Sequence, residues 1–310
     1  MLALTVAAVA ACTPDRGAAL PVVSTAPSAT PPTPTPSPTP TPTPSVTASP
    51  TPAIATPTPT LTPQPKPPPL PVILLDPGHS GRSIRSTDAT TGLRDIDYPN
   101  HPEIDEVFNV SFCVGEALRR DGYRVFSTKK RARDSVGLAA RARLASTVHA
   151  DLAVSVHDDH SQTIGFEATY SQRGVKHDGR YHAMYRGSGR TRTVFDRPTV
   201  ARRSEQAAIT IARARTRAQG RPVDVRENTF TGRAPLEPGN LALVQLLSAV
   251  PWVYNEMGAL TNGNPTTRLS LAAERGYAEG LLVGIEEAVP LATAGKPSTG
   301  GLENCLTRRR

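Results

Sequence analysis

The sequence predicts a single α/β domain with a mixed, largely parallel central sheet and helices on both faces. Three observations carry that prediction. Short apolar runs bounded by Gly, Pro or Asp alternate along the chain with longer segments of helical period. No internal repeat is visible that would make a solenoid or a propeller. About 240 residues remain once a proline-rich start is set aside, a length that suits one sizeable core.

The first run, 71–75 (Pro-Val-Ile-Leu-Leu), reads as a buried strand. Over 107–120, Val107, Val110, Val114, Ala117 and Leu118 recur at helical spacing up to Asp121-Gly122, a helix stop. Alternation makes 123–128 a strand, and 138–148 is a helix rich in Ala and Arg. Residues 151–156 form another strand. The stretch 170–200 shows no clean period and reads as loop, and 205–219 is an Arg-coated amphipathic helix. A helix over 240–249, a strand over 251–255 and a long helix over 269–289 complete the domain.

Of the 32 prolines among 310 residues, 19 lie between Pro21 and Leu70, where Lys66 is the one charged side chain. Such a stretch cannot bury enough apolar surface to offset its ordering entropy, so it is a linker. Alternating proline favours an extended spacer of about 3.1 Å per residue, on the order of 150 Å for fifty residues. Ahead of it, Met1 to Ala11 is apolar and small, an export signal too short to span a bilayer as a helix. The expected organisation is a signal segment over 1–20, a Thr/Pro linker over 21–70, a folded domain over 71–292 and a flexible tail over 293–310.

The formal net charge of +8 is concentrated. From Arg173 to Arg233 there are fifteen Arg or Lys against five Asp or Glu, a region that attracts polyanions. Export and the lack of any nucleic-acid-binding motif exclude nucleic acid as the partner. Three cysteines do not make a disulfide framework, and Cys113 and Cys305, far apart in sequence, are expected to stay free thiols.

Three strands lead at once into residues able to bind metal or move a proton: Leu75 into Asp76-Pro77-Gly78-His79, Val156 into His157, and Asn255 into Glu256. In open α/β sheets the carboxyl ends of strands line one crevice, so these residues would share a rim. Two imidazoles and a carboxylate there suit a catalytic zinc, with a fourth position open to water.

Val-Ile-Leu-Leu-Asp-Pro-Gly-His at 72–79, Ala-Asp-Leu-Ala-Val-Ser-Val-His at 150–157 and Val-Tyr-Asn-Glu-Met-Gly-Ala-Leu-Thr-Asn at 253–262 resemble the zinc-dependent N-acetylmuramoyl-L-alanine amidases of the amidase 3 type. Leu138, Arg141 and Ala145 fit the helix before the second His, and Gly276-Tyr277-Ala278-Glu279-Gly280 fits the closing helix. The resemblance implies one Zn2+ held by His79, a glutamate and His157, with Glu256 as the catalytic acid–base. Counting back from Gly122 makes Glu103 the middle ligand, while a register anchored on Phe108-Asn109 favours Glu106 or Asp105. The reaction it implies is cleavage of the amide between N-acetylmuramic acid and L-alanine, with the glycan and stem peptide of peptidoglycan as partner.

Val-Ala-Ala-Cys at 9–12 resembles a bacterial lipobox, which implies acylation of Cys12 and a membrane-anchored lipoprotein of the cell envelope, although no Lys or Arg precedes the apolar run. Anionic wall polymers are the partner expected for the arginines from Arg173 to Arg233. Asp76 is expected to fix the loop carrying His79, and Asp159 to orient a ligand or substrate group. His101, His149 and His160 are expected to be solvated or supporting rather than ligands. A non-catalytic wall-binding module on the same fold, or a zinc peptidase acting within the stem peptide, would show these same residues.

Overall fold

The computed structural model describes residues 69–89, 94–158, 168–171, 175–177, 180–186, 192–226, 244, 247–257, 268–292 and 298–309. The expected signal segment, Cys12, nearly all of the linker, Asp159, His160 and most of the 240–249 helix lie outside them. Residues Gln64–Arg310 form one compact unit. Among the described residues no helix is long and apolar enough to cross a membrane.

The main sheet has six strands: β1 (Val72–Pro77), β4 (Arg124–Ser127), β5 (Leu152–His157), β6 (Ala168–Ser171), β10 (Asp224–Arg226) and β11 (Trp252–Glu256). Their spatial order is β10-β6-β11-β5-β1-β4. β4, β1, β5 and β11 run parallel, and β6 turns against β11. The chain leaves β1 for β4 on one side through α1 (His101–Asp121) and returns past it to β5 through α2 (Leu138–Thr147). That reversal opens a crevice at the carboxyl ends of β1 and β5.

Alternation along the strands builds a core on each face. Ile73, Leu75, Val154, Val156 and Val253 pack under α1, α3 (Pro198–Gln219), α4 (Leu271–Ala288) and α5 (Leu302–Arg309). Val72, Leu74, Ala153 and Trp252 face Leu138, Ala142 and Ala145 of α2. α1 stops where its sequence says it must, with Gly122 in the left-handed region at φ 110°. α3 and α4 are packed close enough that a Cβ on Gly280 would sit 2.6 Å from Arg215 Cα, and one on Gly284 2.7 Å from Ile211 Cα.

Three expectations are corrected. The stretch read as loop over 170–200 instead holds the end of β6 and an antiparallel sheet of β7 (Val175–His177), β8 (Arg180–Arg186) and β9 (Arg192–Asp196), followed by the start of α3. Its strands are short and rich in Arg, Lys and His, so their period of two has little hydrophobic amplitude. A two-stranded antiparallel pair, β2 (Ile84–Thr87) with β3 (Arg94–Asp97), follows the first strand of the main sheet.

The C-terminal segment is not a loose tail throughout, because α5 docks on α1. Leu302 and Leu306 are buried, Arg309 lies 3.9 Å from the Phe112 ring centre, and Asn109 and Arg309 exchange hydrogen bonds at 3.1 and 3.2 Å. Cys113 and Cys305, expected free, are joined in a disulfide across this interface. A separation of 192 residues hid a proximity that only the docked helix creates. Closing so long a loop restricts the unfolded chain. Replacing both cysteines with serine is expected to lower unfolding stability by about 2–4 kcal/mol, read by denaturant titration.

Candidate metal centre and its supports

The turn after β1 is held from several sides. Gly78 N donates to Val156 O at 2.9 Å, which draws the turn over β5. A side chain at Gly78 would collide with the His157 ring, its Cβ 2.3 Å from Cε1. Lys129, buried after β4, donates from Nζ to Gly78 O at 2.6 Å. Burial, and then the nearby Arg141 charge, push its pKa down to about 8.

Arg141 sits on the apolar face of α2, 1% exposed, with acceptors all round it. It donates to Asp76 Oδ1 at 2.8 Å, Pro77 O at 3.0 Å, His79 O at 2.5 Å, Asp97 Oδ2 at 3.1 Å and Val136 O at 2.8 Å. Asp76 also accepts from Thr128 Oγ1 at 2.6 Å and Ser155 Oγ at 2.7 Å. Burial acts to raise the pKa of Asp76, but Arg141 and these hydroxyls outweigh it and hold the carboxyl below its usual range. Asp76 therefore does bind the His79 loop into the fold, as expected.

His79 is itself left-handed, at φ 55°. Its Nδ1 donates to Tyr98 O at 2.9 Å, which turns Nε2 towards Glu103 Oε2, 2.9 Å away. The other oxygen, Oε1, lies 3.0 Å from His157 Nδ1 and accepts from Asp158 N at 2.9 Å. Asn100, at the start of α1, donates to Oε2 at 2.7 Å. One donor atom from each of His79, Glu103 and His157 falls within 4.8 Å of the others, the spacing of a group that can hold a metal ion. Burial acts to raise the Glu103 pKa, but His79 and His157 overcome it and the carboxyl stays well below its usual range. Burial acts to lower His79, and Glu103 more than reverses this, whereas burial prevails at His157 and lowers it.

The structure separates the carboxylates that the two sequence registers left open. Glu103 faces both imidazoles. Glu106 instead accepts from Leu269 N at 2.8 Å, with Arg268 Nε 3.5 Å away, and Asp105 pairs with Arg133 at 3.0 Å. His101 and His149 are exposed at the ends of α1 and α2, and neither belongs to the group of three donors.

Glu256 ends β11 in register with His157, which ends the neighbouring β5. Tyr254 stacks on the His157 ring at 4.5 Å and donates its hydroxyl to Glu256 Oε1 at 3.0 Å. Under the strand ends lies Arg215, fully buried on α3. It donates to Glu256 O at 2.8 Å and rests over the Tyr277 ring at 4.6 Å. Tyr277 in turn donates to His157 O at 3.1 Å. Sequence reading missed Lys129, Tyr254, Arg215 and Asp97 as supports. The available signal was an arginine at a core position of each helix, 141 in α2 and 215 in α3, where a buried cation requires partners.

Two imidazoles beyond strand ends and a buried carboxylate from the start of α1 make a group able to hold a metal ion at the crevice of an open α/β sheet. Residues 73–287 match the family model described as N-acetylmuramoyl-L-alanine amidase, and the chain belongs to that family. It is thereby an enzyme that hydrolyses an amide bond of peptidoglycan. No curated protein matches the chain. Among solved structures it is similar to Ami1 from Mycobacterium abscessus in its apo form, at 18% identity over 71% of this chain and 98% of that one, TM-score 0.48. It is also similar to an N-acetylmuramoyl-L-alanine amidase from Clostridium difficile 630, at 16% over 72% and 98%, TM-score 0.46. For Cwp6 from Clostridium difficile the figures are 16%, 71% and 0.44, and the chain spans 29% of that protein's length.

Two outcomes follow from the supports. Arg141→Met strands two buried carboxylates and is expected to cost about 3–5 kcal/mol, measured by chemical denaturation. Lys129 binds its proton less readily folded than unfolded, so between its folded pKa of about 8 and its ordinary 10.5 the unfolded chain holds more proton. Stability should accordingly gain from this group as pH rises across that window, and Lys129→Met should lack the gain in pH-resolved unfolding curves.

Proposed function

We propose that the chain is a zinc-dependent N-acetylmuramoyl-L-alanine amidase in which His79, Glu103 and His157 hold one Zn2+ and Glu256 moves the protons. The observation that carries this is the convergence of those three donors within 4.8 Å, beside a strand that ends in Glu256. The fit is chemical as well as geometric: the His79 tautomer presents Nε2 to the shared space, burial favours neutral His157, and Glu103 is anionic. Bound zinc would supply Lewis acidity, lowering the pKa of water and polarising the scissile carbonyl.

The protein's own residues do the rest. An amide is a poor electrophile with a poor leaving group, so a proton must leave the attacking water and reach the departing nitrogen. Glu256 is suited to both transfers, general base first and general acid second. The Tyr254 hydroxyl on Oε1 restrains its rotation, and Arg215 pins the strand end beneath it through the Glu256 carbonyl. Asn100 and Asp158 N hold Glu103 with both oxygens turned to the imidazoles. The bond cleaved joins the lactyl group of N-acetylmuramic acid to L-alanine.

The enzyme is proposed to act outside the cytoplasm, held to a membrane by an acyl group on Cys12 and set off from it by the Thr/Pro tract. The disulfide supports this reading, since such bonds persist in oxidising compartments. Arginines between Arg173 and Arg233 would meet the anionic groups of the wall.

Glu256→Gln should retain zinc while losing release of stem peptide from muropeptide, scored by metal analysis and mass spectrometry of the products. Glu103→Ala should lose zinc, and Glu106→Ala should keep it. Zinc retained in Glu103→Ala and lost in Glu106→Ala would reverse the ligand assignment.

A further inference from the structure

The outer side of α3 carries arginine where its inner side carries alanine and isoleucine. Arg202, Arg203, Arg213 and Arg217 are exposed, while Ala208, Ile211, Ala212 and Arg215 are buried. The C-terminal end of this helix reaches the rim of the active site. Arg221, one residue past the Gly220 cap, donates to Met257 O at 3.4 Å, next in sequence to Glu256. Beside it a groove of about 360 Å³ runs between α3 and β10, the last strand on that side of the main sheet among the described residues, with Ile209, Arg213, Arg217, Val223 and Val225 among its walls. Val225 is 41% exposed there.

The chemistry of these walls selects an occupant. Aliphatic side chains on the floor disfavour a phosphodiester polymer or a bare glycan, which have little apolar surface to bury. Two guanidiniums one helical turn apart stand about 6 Å from each other along the axis. That matches carboxylates two residues apart on an extended peptide, about 7 Å. Arg217 already meets Glu287 at 2.6 Å, but an exposed pair of this kind contributes little and leaves the guanidinium able to share another carboxylate.

We infer that this groove seats the acidic stem peptide of the substrate, with small aliphatic side chains on Ile209, Val223 and Val225 and carboxylates on Arg213 and Arg217. It rests on the peptidoglycan reading above and adds to it a site that selects for charged peptide. The pocket would set which stem peptides are bound, apart from the proton transfers at Glu256.

The test is calorimetric titration of the full chain carrying Glu256→Gln, so that binding is read without turnover. The probes are a soluble muropeptide and the same muropeptide with its carboxylates amidated. Adding Arg213→Ser with Arg217→Ser should weaken binding of the acidic form about tenfold and leave the amidated form unchanged. The pair Lys130→Ser with Arg131→Ser removes the same charge from an exposed turn outside the basic stretch and should change neither. Equal weakening by both pairs, equal weakening for both probes, no weakening, or no binding of muropeptide at all would each overturn the inference. Hydrolysis by the unsubstituted chain is measured separately. Charge-selective binding without release of peptide would count against the catalytic reading and leave the groove standing.

Discussion

The guanidinium of Arg141 is the contact on which the site depends. It joins the end of β1, the end of β3 and the turn before α2, three segments that share no backbone hydrogen-bond ladder. His79 is trapped between two of them. Its carbonyl accepts from Arg141, and its ring donates to Tyr98, which follows Asp97 on the segment the same guanidinium holds. A left-handed histidine costs conformational energy, so it persists only where its surroundings over-determine it. Asp76 and Asp97 compensate the buried charge, and the hydroxyls of Thr128 and Ser155 extend the network under the strands.

Around that clamp burial and charge act against each other at every group of the cluster, and at His79 the neighbouring Glu103 prevails and raises the pKa. Glu103 stays anionic because two imidazoles outweigh its burial, and His157 is kept towards the neutral form because burial outweighs Glu103. A neutral ring has a lone pair for a cation, and an anionic carboxylate has a charge for one. On the opposite face Arg215 supports the strand end of Glu256 through the backbone, leaving the side chain to Tyr254. That arginine can lie where it does because Gly280 lets α4 approach its Cα.

The carboxylate that does not face the imidazoles is also structural. Glu106 accepts from Leu269 N at the approach to α4, and Arg268 lies between it and the buried Glu274. One face of α1 thus serves the two imidazoles through Glu103 and the closing helix through Glu106. Three residues are less than one helical turn, yet the two side chains answer to different parts of the fold.

The sequence by itself determined the class of fold, the order of its main strands and helices, and His79, His157 and Glu256 at strand ends. Those follow from local causes: hydrophobic period, Gly and Pro punctuation, and motif spacing. It left the choice between Glu103 and Glu106 open, because both fit the start of one helix and spacing alone cannot say which side chain meets a histidine fifty residues away. It misjudged Cys113 and Cys305, whose pairing arises from docking of α5, and it passed over the weakly patterned strands between 170 and 200. The sequence marked Arg141 and Arg215 as cations at core positions, but what they and Lys129 hold was decided by tertiary structure. Whether a buried cation steadies a site or disrupts it depends on the acceptors that distant segments bring to it, and no local pattern encodes that meeting.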